Sequence, residues 1–147
     1  MKLLYFAVNE KYTIFECLFD SNIKRKKNMY RSKITGVGHY VPDHVVTNHD
    51  LEKMMDTSDE WIQERTGIKE RRFYKPDEKG STAKMALKAS EIAMERAGVT
   101  PDDIDAIIFA TLSPDYYFPG SGALLQHMLK MGTKPAIDIR AQCSGFI

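Results

Sequence analysis

Apolar positions along this chain follow two rhythms that alternate from about residue 33 onward. Residues 33–38 read as a strand running into Gly36 and Gly38, after which Thr47 or Asn48 can cap a short helix through Met55. Thr57-Ser58-Asp59-Glu60 has capping-box spacing, which predicts a helix from Thr57 through Arg65 that Gly67 ends in a left-handed turn. Residues 68–74 fit a strand or an extended arm. The clearest helix is 81–97, with Met85, Ala89, Ile92, Ala93 and Arg96 along one face and Gly98 as its stop. The small residues in that stripe predict close packing on a sheet.

Pro101 suits the first turn of a short helix. Residues 106–111 are continuously apolar up to Thr111, as a strand buried on both faces should be. A helix over 121–131 closed by Gly132 and a strand over 136–139 complete the series. Strand, helix, buried strand, helix, buried strand predicts an α/β layered fold with a mainly parallel sheet flanked by helices.

The N-terminus breaks this order. Residues 1–28 hold six Lys or Arg against three acids and end in Lys24-Arg25-Lys26-Lys27, while Met29 opens what looks like a fresh domain start. The expectation is an unmatched, flexible extension over 1–28 ahead of one domain over 29–147. At 147 residues, 43% of them hydrophobic, the chain is long enough to bury one core. A formal net charge of +1 gives no electrostatic case for nucleic acid. The N-terminal apolar run over 3–8 is too short for a signal-peptide core or a membrane span. Two cysteines, Cys17 and Cys143, make no disulfide framework and suit a reducing compartment. A soluble cytoplasmic protein with no membrane partner is expected.

Cys143 is the leading chemical candidate. It follows the strand over 136–139 in the small-residue run Ala141-Gln142-Cys143-Ser144-Gly145. A cysteine where a strand ends and a helix begins lies near unpaired N–H groups and a positive dipole end, which favour the thiolate. The plainer reading of a cysteine is a small buried hydrophobe, and Cys17 is read as structural or incidental. Trp61 and Arg65, four apart, share a helix face: an indole and a guanidinium can form a nucleotide edge, or serve as a packing anchor and a surface ion pair. Gly36-Val37-Gly38-His39-Tyr40-Val41 begins like a dinucleotide fingerprint but has Val41 where its third glycine should stand. His39, His44 and His49 recur every five residues, a spacing that fits neither helical metal ligation nor a paired-cysteine zinc site, so no metal is expected.

Three blocks, Ile34-Thr35-Gly36-Val37-Gly38-His39-Tyr40-Val41-Pro42, Asp56-Thr57-Ser58-Asp59-Glu60-Trp61-Ile62 with Arg65-Thr66-Gly67-Ile68, and Cys143-Ser144-Gly145-Phe146, resemble the N-terminal portion of β-ketoacyl-acyl-carrier-protein synthase III, a thiolase-superfamily condensing enzyme. The resemblance covers roughly 29–147 and implies an incomplete N-terminal half of a thiolase-like layered fold. It implies that Cys143 accepts an acyl group from acyl-CoA, with its own N–H as one oxyanion donor, before condensation with malonyl-acyl carrier protein starts fatty acid biosynthesis. It further implies that Thr57, Trp61 and Arg65 hold coenzyme A, which serves as substrate, so that no cofactor is needed. Phe118, whose plainer role is loop packing, would shape the acyl pocket of the partner in a homodimer. The family's histidine, asparagine and later glycine would fall beyond Ile147, and His127 does not match that histidine. The isolated chain is therefore expected to be inactive in condensation. Two alternatives stay open: a non-catalytic remnant of a disrupted gene, and a piece of a related condensing enzyme of secondary metabolism.

Overall fold

A computed structural model describes residues 2–9, 13–25, 29–75, 81–141 and 144–145, with side chains described from Lys33 onward. The chain divides into two compact units, Met1–Tyr40 with Gly80–Ile147, and Val41–Lys79.

In the larger unit, strands β1 (Lys2–Asn9), β2 (Thr13–Arg25) and β3 (Met29–Tyr40) form an antiparallel ladder in chain order. Strand β6 (Ala106–Ala110) pairs in parallel with β1 on one side and with β7 (Ala136–Ile139) on the other. The resulting order is β3-β2-β1-β6-β7. The sheet is therefore mixed, parallel over β1-β6-β7 as the alternating pattern predicts and antiparallel over the rest. That antiparallel part comes from residues assigned above to a flexible extension. The correction has a physical basis in the sequence: the strand-forming runs over 3–8 and 13–19 flank polar Asn9, Glu10 and Lys11, the composition of a hairpin.

Helix α3 (Thr82–Ala97) begins at Ser81, whose hydroxyl accepts the Lys84 N–H at 3.0 Å, and ends at Gly98 with φ +65°. Its buried side chains include Ala83, Ala86, Ala89, Ala93 and Met94, whereas Arg96 is exposed and Ile92 half-buried. Met85, Ala89 and Ala93 of the expected stripe are buried, and the packed face is turned slightly from it to take in Ala86, Ser90 and Met94. The reason lies underneath it. A Cβ on Gly36 would overlap the Ala93 carbonyl, and one on Gly38 would overlap the Ala89 carbonyl, so α3 rests its backbone directly on β3. The glycines that imitate a nucleotide fingerprint are a packing device.

Helix α4 (Ser121–Met128) follows β6 and leads to β7, a crossover of the kind that parallel strands require. It is shorter than the 121–131 expected, but the Leu129, Lys130 and Met131 N–H groups still bond back to Leu125, His127 and Gln126. Ile104, Ile107, Phe109 and Leu125 are fully buried beneath the helices. On the other face Ala110 is buried but Ala106 and Ile108 are only half-buried and Ile137 is exposed, so the expected burial of 106–111 on both faces is complete on the helix side alone.

In the smaller unit, β4 (His44–Thr47) and β5 (Glu70–Phe73) form an antiparallel pair. Helix α1 (Asn48–Glu52) carries a capping box between Thr47 and Asp50. Helix α2 (Asp59–Thr66) is capped by Ser58, one residue beyond the predicted Thr57: Ser58 is extended, and its Oγ accepts the Trp61 N–H at 3.1 Å. Glu60 then falls one place too early to complete a box. Gly67, at φ +69°, ends α2 as predicted.

Gly38→Ala should destabilise the larger unit by about 1–3 kcal/mol or more, the usual cost of overpacking against backbone that cannot withdraw; urea unfolding followed by circular dichroism measures it. A chain beginning at Met29 would lose the hairpin between β3 and β6, so its urea midpoint should fall well below that of the full chain.

Candidate active site

The sequence-predicted residues lie in both units. Thr57, Trp61 and Arg65 belong to the smaller one. Thr57 is half-buried just before the Ser58 cap, and one turn separates Trp61 from Arg65 on α2. The Arg65 guanidinium lies 5.0 Å from the centre of the Trp61 ring, and both side chains are exposed. The predicted shared face is therefore real. An exposed indole with a cation on it offers stacking surface and positive charge at one place.

What holds α2 in place was not anticipated. Asn48, 1% exposed, donates from Nδ2 to Asp59 Oδ1 and to the Ile68 carbonyl, both at 2.7 Å, and accepts from Arg71 at 2.9 Å. Asp59 also accepts from Gln63 at 2.6 Å, and the Asp59 N–H donates to Glu52 at 2.7 Å. Glu52 in turn faces His49 at 3.1 Å. The hydrogen bond from Asn48 is the main cause that holds Asp59 below the usual carboxylate range. The hydrogen bond with His49 lowers Glu52, and the same contact raises His49. Asp50, bonded through the Thr47 hydroxyl and amide, is held well below its ordinary value. The available sequence signal was Asn48 itself, a polar residue opening a helix next to buried Val46.

In the larger unit, Cys143 and Gln142 lie outside the described residues. Their flanks are described: the Ser144 N–H donates to the Ala141 carbonyl at 3.0 Å, and Gly145 is buried with room for little beyond hydrogen beside Ala110. Phe118 is 90% exposed, beside exposed Tyr116 and Tyr117, so it does not pack into its own loop.

That loop is anchored by carboxylates absent from the sequence-predicted set. Asp115 accepts the Thr82 and Ala83 N–H groups at 3.0 and 2.9 Å, and the Ser121 hydroxyl at 2.8 Å. Asp138 accepts the Ser121 N–H at 2.9 Å and the Gly122 N–H at 3.2 Å. A lone acid within the apolar strand β7 was the legible hint. His127 is exposed on α4. Among the described residues, no three His, Cys, Asp or Glu side chains gather as metal ligands, and no helix is long and apolar enough to cross a membrane.

The α/β layered unit with its βαβ crossover has a thiolase-like fold, which it shares with the solved structures below. The chain is 49% identical over 121 residues to β-ketoacyl-[acyl-carrier-protein] synthase III of Chlamydia caviae, which takes in 82% of this chain and 36% of that protein. It is 53% identical over 114 residues to the enzyme of that name from Symbiobacterium thermophilum, covering 78% and 34%. The structure superimposes on 3-oxoacyl-[acyl-carrier-protein] synthase III from Aquifex aeolicus with a TM-score of 0.72 and 49% identity, over 78% of this chain and 36% of that one. The priming β-ketosynthase of a polyketide biosynthetic pathway gives 0.71 and 35% identity, over 78% and 34%. No protein-family model matches the chain. Over this shared part the chain is similar to β-ketoacyl-[acyl-carrier-protein] synthase III, and it spans about a third of the length of these relatives.

Asn48→Ala should cost about 1–3 kcal/mol, because it strands Arg71, the Ile68 carbonyl and Asp59 together. The depressed Asp59 and Glu52 contribute stability that is present above the ordinary carboxylate range and lost as pH falls through their lowered values. The fluorescence of Trp61, the single tryptophan, should therefore report acid unfolding, with a midpoint at higher pH in the variant. The raised His49 contributes in the opposite sense, below its ordinary value, and that contribution fades as pH rises through the raised one.

Proposed function

We propose that this chain supplies the acyl-accepting portion of a β-ketoacyl-acyl-carrier-protein synthase III. The observation that carries the reading is identity near one half, sustained over 114–121 residues, to enzymes of that name. Cys143 is the nucleophile. Its thiolate attacks the carbonyl carbon of an acyl-CoA thioester, the tetrahedral oxyanion takes hydrogen bonds from backbone N–H groups, and collapse expels the coenzyme A sulfur as the acyl–cysteine bond forms. The proton given up by the cysteine ends on the departing thiol.

Thr57, Trp61 and Arg65 bind the coenzyme A end. The exposed indole stacks on a nucleobase and the guanidinium pairs with phosphate, in keeping with their 5.0 Å association on α2. Phe118 contributes to an acyl pocket across a homodimer, a role that its exposure permits. Condensation with malonyl-acyl carrier protein follows in the whole enzyme, in a cytoplasmic setting, and no cofactor beyond the thioester substrate is called for. A second reading, priming of a secondary-metabolite pathway, is favoured by the likeness to the polyketide priming ketosynthase. Primer competition between acetyl-CoA and longer acyl-CoA separates the two.

Incubated with acetyl-CoA, the chain should gain one acetyl mass increment that is labile to neutral hydroxylamine and absent from Cys143→Ser. An increment retained in that variant contradicts the assignment. No ketoacyl product should form from malonyl-acyl carrier protein, since the resemblance assigns none of these 147 residues to the decarboxylating pair. Coenzyme A should quench Trp61, and Arg65→Ala should weaken that binding about tenfold, the loss expected for one charge-assisted contact.

A further inference from the structure

The loop between β6 and α4 is tied down at both ends and leaves an aromatic tip between them. At its start the Ser113 N–H donates to Thr111 Oγ1 at 3.1 Å, and the Thr82 hydroxyl donates to the Ser113 carbonyl at 2.9 Å. Asp115 is fixed on the first turn of α3, and the far end is fixed by Ser121 on Asp138. Tyr116, Tyr117 and Phe118 stand between these anchors, exposed. Apolar side chains held out in water on a loop would ordinarily fold back or fluctuate.

One side chain holds the tip. Arg140 donates from Nη2 to the Tyr117 carbonyl at 3.0 Å, and its guanidinium lies 4.7 Å from the centre of the Tyr117 ring. It therefore grips this residue by backbone and by ring at once, which fixes position as well as distance. Arg140 lies one residue beyond β7, two after Asp138 and three before Cys143. Alternation along extended chain turns positions 138 and 140 to the same side. Asp138 accordingly holds the end of the loop and Arg140 its tip.

We propose that Arg140 is a positioning residue, one that fixes the Tyr116–Phe118 tip against the end of β7 and so sets the acyl-chain preference of the pocket to which Phe118 contributes. Its link to acyl preference rests on the function proposed above; its hold on the loop does not. Arg140 and Tyr117 are both exposed, so substitution at 140 removes the grip without opening a core.

The full chain and its Arg140→Ala and Arg140→Lys variants are treated with chymotrypsin under native conditions, and cleavage after Tyr116 and Tyr117 is timed by mass spectrometry. Where opening is fast, cleavage tracks the open population, so Arg140→Ala should be cut about tenfold faster with an unchanged melting temperature. Arg140→Lys, which keeps a cation over the ring without the planar fork, should be rescued only in part. Equal cutting of the wild type and Arg140→Ala overturns the hold on the loop. The same proteins are then offered acetyl-CoA and octanoyl-CoA in competition. A shift of about threefold or more in the ratio of the two acyl-Cys143 products in Arg140→Ala supports the link to preference, by the scale of discrimination that hydrophobic pockets achieve. An unchanged ratio despite faster cutting overturns that link. Absence of any acyl-Cys143 in the wild type defeats the functional reading and with it the link to preference, while cleavage still decides the hold.

Discussion

Two helices of the larger unit begin on carboxylates that come from elsewhere in the chain. Asp115 closes the first turn of α3 and Asp138 closes that of α4, and the Ser121 hydroxyl joins one cap to the other. Each cap satisfies N–H groups that the helix cannot bond internally and places negative charge at the positive end of its dipole. Because Asp138 is on β7 and Asp115 is in the loop after β6, the bonds also fix both helices against the sheet. Gly120 and Gly122 leave the space that the Asp138 carboxylate occupies. A side chain at either position would evict the cap, so the chemistry of one strand residue dictates the residues of the loop facing it.

The packing between α3 and β3 obeys the same economy of space. Glycines on the strand and alanines on the helix bring backbone against backbone, a contact in which a single added methyl group has nowhere to go. On the opposite side of the sheet the covering is thinner: Ile108 is half-buried and Ile137 open. The relatives are roughly three times as long as the portion shared with this chain.

The smaller unit is organised by polar bonds more than by apolar bulk. Its fully buried Asn48 uses two donor bonds and one acceptor bond, and through Asp59 and Glu52 the network reaches both ends of the α1–α2 connection. A satisfied buried amide specifies one arrangement where a few aliphatic side chains would permit several. Trp61 and Arg65 stand on the helix so fixed, which gives this exposed pair a defined orientation.

Local pattern was enough to place α3 with its Gly98 stop, the Gly67 end of α2, and strands β6 and β7. Periodicity and terminal signals act within a few residues and need no partner. The Asp-Thr-Ser-Asp-Glu-Trp-Ile block and the cysteine after β7 likewise disclosed the resemblance, and the helical spacing of Trp61 and Arg65 disclosed their shared face. Choices that depend on distant groups were not legible. Strands β1 and β2 join the sheet between β3 and β6. Gly36 and Gly38 serve a helix some fifty residues on, and Asp115, Asp138 and Arg140 converge on one loop. The sequence determined most of the helices and strands from residue 33 onward, because those signals are written in neighbours a few positions apart. Only the tertiary structure decided which carboxylate meets which helix end, since a hydrogen bond across 17 or 33 residues depends on how the chain is folded between them.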